Sequence, residues 1–291
     1  MADAALRVEI RERAAAAFDV LRDATSEFLR DRAKRLGAGL AYYTLFALIP
    51  SLFFSVAIAA AFVGREAAAG GLQEQLSNVF GPDAARQVES AIATMWESSD
   101  RSNFAVISLG VILYSASVLF VAWRDSVELI WDIPYETGLQ RTLRTRAFAI
   151  LVPIVAGLLL AATMILQGLL AFVEGILDSQ LIDAALRTAG AASQVALSMA
   201  ALGALYRYSA RARRPGWREI LPASVFVVVI LAIGFWAYGV YLRFFGVSSV
   251  TGAAGSVVLG LVVVYYSAQT LLFGAEIIKV LRERQEDRRA G

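Results

Sequence analysis

A chain of 291 residues that is 58% hydrophobic and 18% charged, with a mean hydropathy of +0.61, is too apolar for an ordinary soluble domain, which runs about 45–50% apolar. Its 27 basic and 25 acidic residues leave a net charge of +2, too balanced to argue for nucleic acid as a partner. Cysteine and histidine are both absent, which removes disulfides, thiolate chemistry, the usual general base and the usual zinc ligands.

Residues 1–35 predict an amphipathic cytoplasmic helix. Leu6, Ile10, Ala14, Ala17, Leu21, Ala24 and Phe28 recur at spacings of four or three and form one apolar stripe, with mixed charges opposite. The segment is charged throughout and has no apolar core, so it does not resemble a signal peptide. Arg30-Asp-Arg-Ala-Lys-Arg35 would lie at anionic head groups.

Six runs free of Asp, Glu, Lys and Arg follow, at Leu36–Gly64, Ser102–Trp123, Ala147–Val173, Thr188–Tyr206, Ile220–Leu242 and Phe244–Ala275. Each is long enough to cross a bilayer core, which takes about 20 helical residues. The fold class expected is therefore an all-α, polytopic membrane protein. Its membrane domain, 36–282, has spans at about 37–63, 103–123, 147–173, 188–207, 220–242 and 252–279, before a short tail, 283–291. Lys and Arg accumulate on the cytoplasmic side. Alternate connections and tails hold 22 of them on one side against 5 on the other, which puts both termini in the cytoplasm.

The first span carries Pro50 well inside the run, where proline kinks a helix and frees a carbonyl that must find a partner or a wet cavity. Tyr42 and Tyr43 lie just before it, and Gly37, Ala38, Gly39 and Ala41 allow close helix approach. The long connection 65–101 predicts two short outer interfacial helices, one carrying Leu72, Leu76, Val79 and Phe80, the other Val88, Ile92, Met95 and Trp96, broken at Gly81-Pro82. The second span continues past the membrane, where Asp125, Glu128 and Asp132 fall at i, i+3 and i+7. They are a weak cation or proton candidate, since such a trio is more often a solvated helix face, and no bound metal is expected. In the sixth span the small-residue stretch 247–256 predicts an irregular start, with Gly252 and Gly255 as hinge or helix-break positions. Beyond it Tyr265, Gln269, Leu272 and Glu276 share one face, and polar groups in a span usually face the bundle interior or a wet cavity.

Several stretches in order carry a resemblance: Gly39-Leu-Ala-Tyr-Tyr-Thr-Leu-Phe-Ala-Leu-Ile-Pro50, Tyr114-Ser-Ala-Ser117, Trp123-Arg-Asp125, Ile130-Trp-Asp132, Leu205-Tyr-Arg-Tyr208, Trp217-Arg-Glu-Ile-Leu-Pro222, Gly252-Ala-Ala-Gly-Ser256, Tyr265-Tyr-Ser-Ala-Gln269 and Gly274-Ala-Glu276. From about residue 30 to 282 the chain resembles the YihY/BrkB family of bacterial inner-membrane proteins. The resemblance implies six spans in the inner membrane and no agreed reaction. The family was long labelled ribonuclease BN, and some members are linked to envelope lipids.

The functional expectation is a transport-class protein for an amphiphilic, anionic, lipid-like substrate. Its candidate pathway is Tyr42, Tyr43, Pro50, Tyr265, Gln269 and Glu276. No P-loop occurs, so movement would be passive, gradient-driven or coupled to a partner; no cofactor and no enzymatic activity are expected. The partners expected are membrane lipids, with an envelope protein as the alternative: a scaffold or regulatory role. A nuclease is disfavoured by the missing histidine and the missing basic surface. Small residues on several spans permit a homo-oligomer.

Overall fold

A computed structural model describes residues 2–80, 82–99, 105–134, 154–155, 158–159, 161–170, 180–209, 214–245 and 252–290, and every regular element among them is helical. In chain order these are α1 (Ala2–Arg30), α2 (Ala33–Val63), α3 (Arg65–Phe80), α4 (Pro82–Ser99), α5 (Ala105–Ile130), α6 (Ala161–Leu170), α7 (Gln180–Ser209), α8 (Trp217–Phe245) and α9 (Gly252–Ala290).

Three stretches among the described residues are long and apolar enough to cross a membrane: Thr188–Ser209, Trp217–Tyr241 and Val258–Arg289. They overlap the last three expected spans, closely for the first two, while the third runs on from 279 to 289. The expected first span lies wholly inside α2 and the second largely inside α5. Of the third only fragments and α6 belong to the described residues. On α8, Leu221, Val225, Val229, Ile233 and Trp236 form an exposed apolar stripe. A soluble monomer seldom presents such a stripe; acyl chains cover it naturally.

Helix boundaries follow local chemistry. The break between α3 and α4 falls at the expected Gly81-Pro82, with Pro82 opening the second helix. Leu72 and Leu76 of the α3 stripe are buried and Val88 of α4 is half-buried; the Val79, Phe80, Ile92, Met95 and Trp96 side chains lie outside the described residues. α9 starts at Gly252, as the small-residue stretch suggests, and runs through Gly255 without interruption, so only Gly252 marks a helix boundary. α2 continues through Pro50, whose side chain lies outside the described residues. The N-terminal helix carries the whole stripe but stops short of the expected boundary at residue 35. It ends at Arg30, with Arg32 in the left-handed region (φ 53°), and α2 begins at Ala33. Of the stripe, Leu21, Ala24 and Phe28 pack inward, whereas Ala14 and Ala17 are exposed.

α9 is the central post. α1, α2, α8 and, less extensively, α5 pack directly on it. The larger core gathers Ala24 and Phe28 of α1, Leu40 of α2, Trp123 and Val127 of α5, Tyr206 of α7, Ile220 of α8 and Leu272, Ala275 and Ile278 of α9. A second core joins Phe53, Val56 and Ala59 of α2 to Leu72 and Leu76 of α3, Ala85 of α4 and Ala161 of α6. α2 reaches both cores.

Between apolar helices in lipid there is no hydrophobic drive to associate, so close approach and interhelical hydrogen bonds must hold the bundle. Polar side chains seated on glycines do this here. A Cβ at Gly37 would lie 2.1 Å from Gln269 Nε2, which donates to the Lys34 carbonyl at 3.1 Å. A Cβ at Gly234 would lie 2.2 Å from the Tyr266 ring, whose hydroxyl donates to the Ile230 carbonyl at 2.6 Å. The Trp123 indole N–H donates to Ser209 Oγ at 2.7 Å, joining α5 to α7. Gly37→Ala is expected to push Gln269 off the Lys34 carbonyl and lower stability by about 1 kcal/mol, the worth of one such bond. A reduced thermal midpoint in detergent, absent when Gln269→Ala is already present, is the check.

Candidate functional site

The expected polar face of α9 runs from the lipid-exposed rim into the core. Tyr265 is exposed, Gln269 is partly buried on Gly37, and Leu272 and Glu276 are fully buried. At Gln269 this face packs on the start of α2, and at Glu276 it meets the charged end of α1. Both Glu276 carboxyl oxygens and Gln269 Oε1 are buried without a hydrogen-bond partner among the described residues.

One turn beyond Glu276 sits Lys279, also buried, and it is the electrostatic centre of the larger core. Its Nζ lies 3.0 Å from Asp31, 2.9 Å from Asp132 and 3.3 Å from Glu27. Asp31 belongs to the turn between α1 and α2, and Asp132 follows the end of α5. α5 closes with the N–H of Ile133 bonded to the Glu128 carbonyl and that of Asp132 to Leu129, with Asp132 at φ 50° in the left-handed position that glycine commonly takes. Asp tolerates that conformation better than most residues, and its ion pair with Lys279 holds it there. The Trp131 indole N–H donates to the Ala275 carbonyl at 3.0 Å, and the Tyr206 hydroxyl to the Leu271 carbonyl at 2.7 Å. Two donors, one in the turn after α5 and one on α7, thus reach carbonyls one turn apart on α9.

The three carboxylates at i, i+3 and i+7 are not brought together. Glu128 pairs with Arg124 at 2.7 Å, Asp132 goes to Lys279 and Asp125 faces a groove. Helix α5 ends at Ile130, so the left-handed turn swings Asp132 off the face that continuous helical spacing assigned to it. Among the described residues no group of three His, Cys, Asp or Glu side chains could hold a metal ion.

That groove, of about 570 Å³, lies between α2 and α5. Because Asp31 before α2 and Asp132 after α5 meet at Lys279, the two helices run antiparallel. Arg35 and Leu129 therefore mark one end of the groove and Tyr43 and Tyr114 the other, with Leu36, Leu40, Val118, Val121 and Ala122 as apolar lining and Asp125 and Ser126 as polar lining. Of the candidate pathway residues Tyr43 lines this groove. Tyr42 is exposed beside it, its ring 4.8 Å from Phe46 and 5.6 Å from Tyr43. Gln269 and Glu276 lie in the packed interior instead. Sequence reading missed Lys279, whose signal is a single base within the otherwise apolar stretch Ile277–Leu281, and it did not bring Arg35 and Tyr114 together in one groove.

Residues 24–291 match the family model described as virulence factor BrkB. A UPF0761 membrane protein of Stenotrophomonas maltophilia (strain R551-3) is 26% identical over 255 residues, covering 86% of this chain and 58% of the relative. One from Xanthomonas campestris pv. campestris (strain B100) is 25% identical over 251 residues, with 86% and 57% covered. The chain thus spans somewhat more than half the length of these curated relatives. No solved structure matches. The family match begins where α1 turns its apolar stripe into the core and runs to the end of α9, taking in every residue around Lys279 and along the groove, and the chain belongs to the BrkB family of membrane proteins.

Proposed function

We propose that this is a six-span protein of the bacterial inner membrane, with both termini cytoplasmic. In this reading it takes an amphiphilic, anionic, lipid-like molecule into the α2–α5 groove and handles or moves it without an ATPase or an enzymatic step of its own. The observation that carries the reading is the lining of the groove. Its walls are mostly aliphatic, Arg35 stands at the end that this reading assigns to the cytoplasm, and the phenols of Tyr43 and Tyr114 stand at the far end. Arginine suits a phosphate or carboxylate head group, aliphatic walls suit acyl chain, and the volume is that of a ligand site, about 300–1,000 Å³. Asp125 in the same groove suits a head group that also carries a hydrogen-bond donor.

The test is native mass spectrometry of protein extracted with its surrounding lipid, together with movement of a fluorescent anionic phospholipid across proteoliposomes. Wild type is expected to retain anionic over zwitterionic phospholipid. Val118→Trp, which fills the groove, and Arg35→Glu, which reverses the charge at its end, are each expected to cut retention and movement about tenfold, or about 1.4 kcal/mol. Equal retention of both lipid classes by wild type and variants would end the reading. Protein free of lipid but carrying a stoichiometric partner would favour an envelope scaffold, for which the exposed stretch of α1 that includes Phe18 is the natural surface.

A further inference from the structure

Three carboxylates around Lys279 are held in ion pairs, and a fourth, Glu283, stands exposed one turn further along α9. Glu27 and Asp31 face both Lys279 and Arg30, and Asp132 faces Lys279. Glu276 is fully buried, one turn from Lys279 on the same helix, and neither of its oxygens has a partner among the described residues. The charged groups acting on it are Glu27, Arg30 and Asp31 from α1 and its turn, and Lys279 from α9 itself. On α2 the nearest charged residues, Lys34 and Arg35, are exposed, and Asp132 at the end of α5 is engaged by Lys279. Lys279 and Arg30 already serve Glu27, Asp31 and Asp132, with Glu283 exposed beside them. Among the described residues a negative charge on the buried Glu276 would have no partner of its own, whereas a neutral carboxylic acid suits the site.

We propose that Glu276 is a proton-binding site, and that loss of its proton draws Lys279 away from Asp31 and Asp132, freeing the α1–α2 turn and the end of α5 from α9. Side chains at i and i+3 on a helix are neighbours, so Lys279 reaches Glu276 by changing rotamer. A cavity of about 30 Å³, enough for one water, adjoins Lys279 between Trp131, Asp132, Pro215, Arg282, Glu283 and Glu286. Ligand handling in the groove is a separate matter, because nothing in this proposal requires the groove to be occupied.

The sign of the pH effect follows. While Glu276 holds its proton, Lys279 keeps its three partners. When rising pH removes that proton the contact opens, and replacing Glu276 removes this part of the response.

Because the chain has no cysteine, Arg22→Cys on α1 and Asp287→Cys on α9, both exposed, can carry spin labels without other changes. In lipid nanodiscs, pulsed electron spin resonance is expected to show one short distance near neutral pH and a growing longer population as pH rises. Glu276→Gln, which mimics the acid form, is expected to hold the short distance across the alkaline range, and Glu276→Asp to restore the response. A doubly labelled wild type whose distances do not change on the alkaline side would overturn the proposal, even if Glu276→Gln fails to insert. A Glu276→Gln variant that opens as the wild type does would overturn it equally.

Discussion

Lys279→Met is expected to lower the stability of the bundle by about 3 kcal/mol, seen as a large fall in the thermal midpoint of the detergent-solubilised protein. Methionine keeps the apolar stem, so packing is nearly conserved and the loss is electrostatic. The three carboxylates do not contribute equally. Asp132 is well exposed (side chain 70%), and water screens it, whereas Asp31 and Glu27 are mostly covered (16% and 15%). Removing one partner of a buried pair costs about 3–5 kcal/mol because the other charge stays behind, and Arg30, still near Glu27 and Asp31, holds the effect to the lower end. Asp132→Asn is the internal comparison. It removes the exposed partner alone and should cost less than about 1 kcal/mol. Equal losses in the two variants would mean that the centre is not organised around the buried acids.

Gly274→Ala should destabilise to a similar extent by a steric route. A Cβ at this position would lie 2.2 Å from the Tyr206 hydroxyl and 2.6 Å from Val227 Cγ2. Tyr206 is fully buried and its hydroxyl is bonded to Leu271, so it has nowhere to retreat. Overpacking of this kind costs about 1–3 kcal/mol, and the displaced hydrogen bond adds about 1 kcal/mol. Tyr206→Phe alone should lose only the bond. In the double variant the Cβ meets ring carbon Cζ at 3.1 Å instead of the hydroxyl, so its loss is expected to fall short of the sum of the two singles. Unfolding measurements on the four proteins decide it, and strict additivity would show that the two residues do not press on one another.

The features legible in the sequence are those that local chemistry dictates. Pro82 opens α4 because its ring fits a first turn, and Gly252 opens α9 where small residues give way to an apolar run. The three stretches long and apolar enough to cross a membrane overlap charge-free runs, because a charge at those positions would be costly in lipid. The missed features depend on residues far apart in sequence. Nothing around Arg30-Asp-Arg-Ala-Lys-Arg35 marks a turn: there is neither glycine nor proline, and Arg32 adopts a left-handed conformation that its type disfavours. What places the turn there is Lys279, 248 residues away, taking Asp31 as a partner. The groove was beyond reach for the same reason, since its two walls belong to helices whose relative direction only the ends around Lys279 reveal. The polar stripe on α9 is legible from its spacing, which leaves open whether it faces the bundle interior or a wet cavity, because an amphipathic face has the same period whether it lines water or seats on a glycine.

The pairing of Trp131 with Ala275 and Tyr206 with Leu271 also limits how α9 can move. Carbonyls one turn apart repeat every 5.4 Å, so a one-turn slide would offer both donors an equivalent acceptor. The slide would also bring Thr270 or Ile278, both β-branched, beneath Tyr206 where Gly274 now lies. No neighbouring turn has a notch for the ring, so α9 cannot work as a piston. Signals that pass along it must travel as tilt or rotation, or as the departure of neighbouring helices from a post that keeps its height.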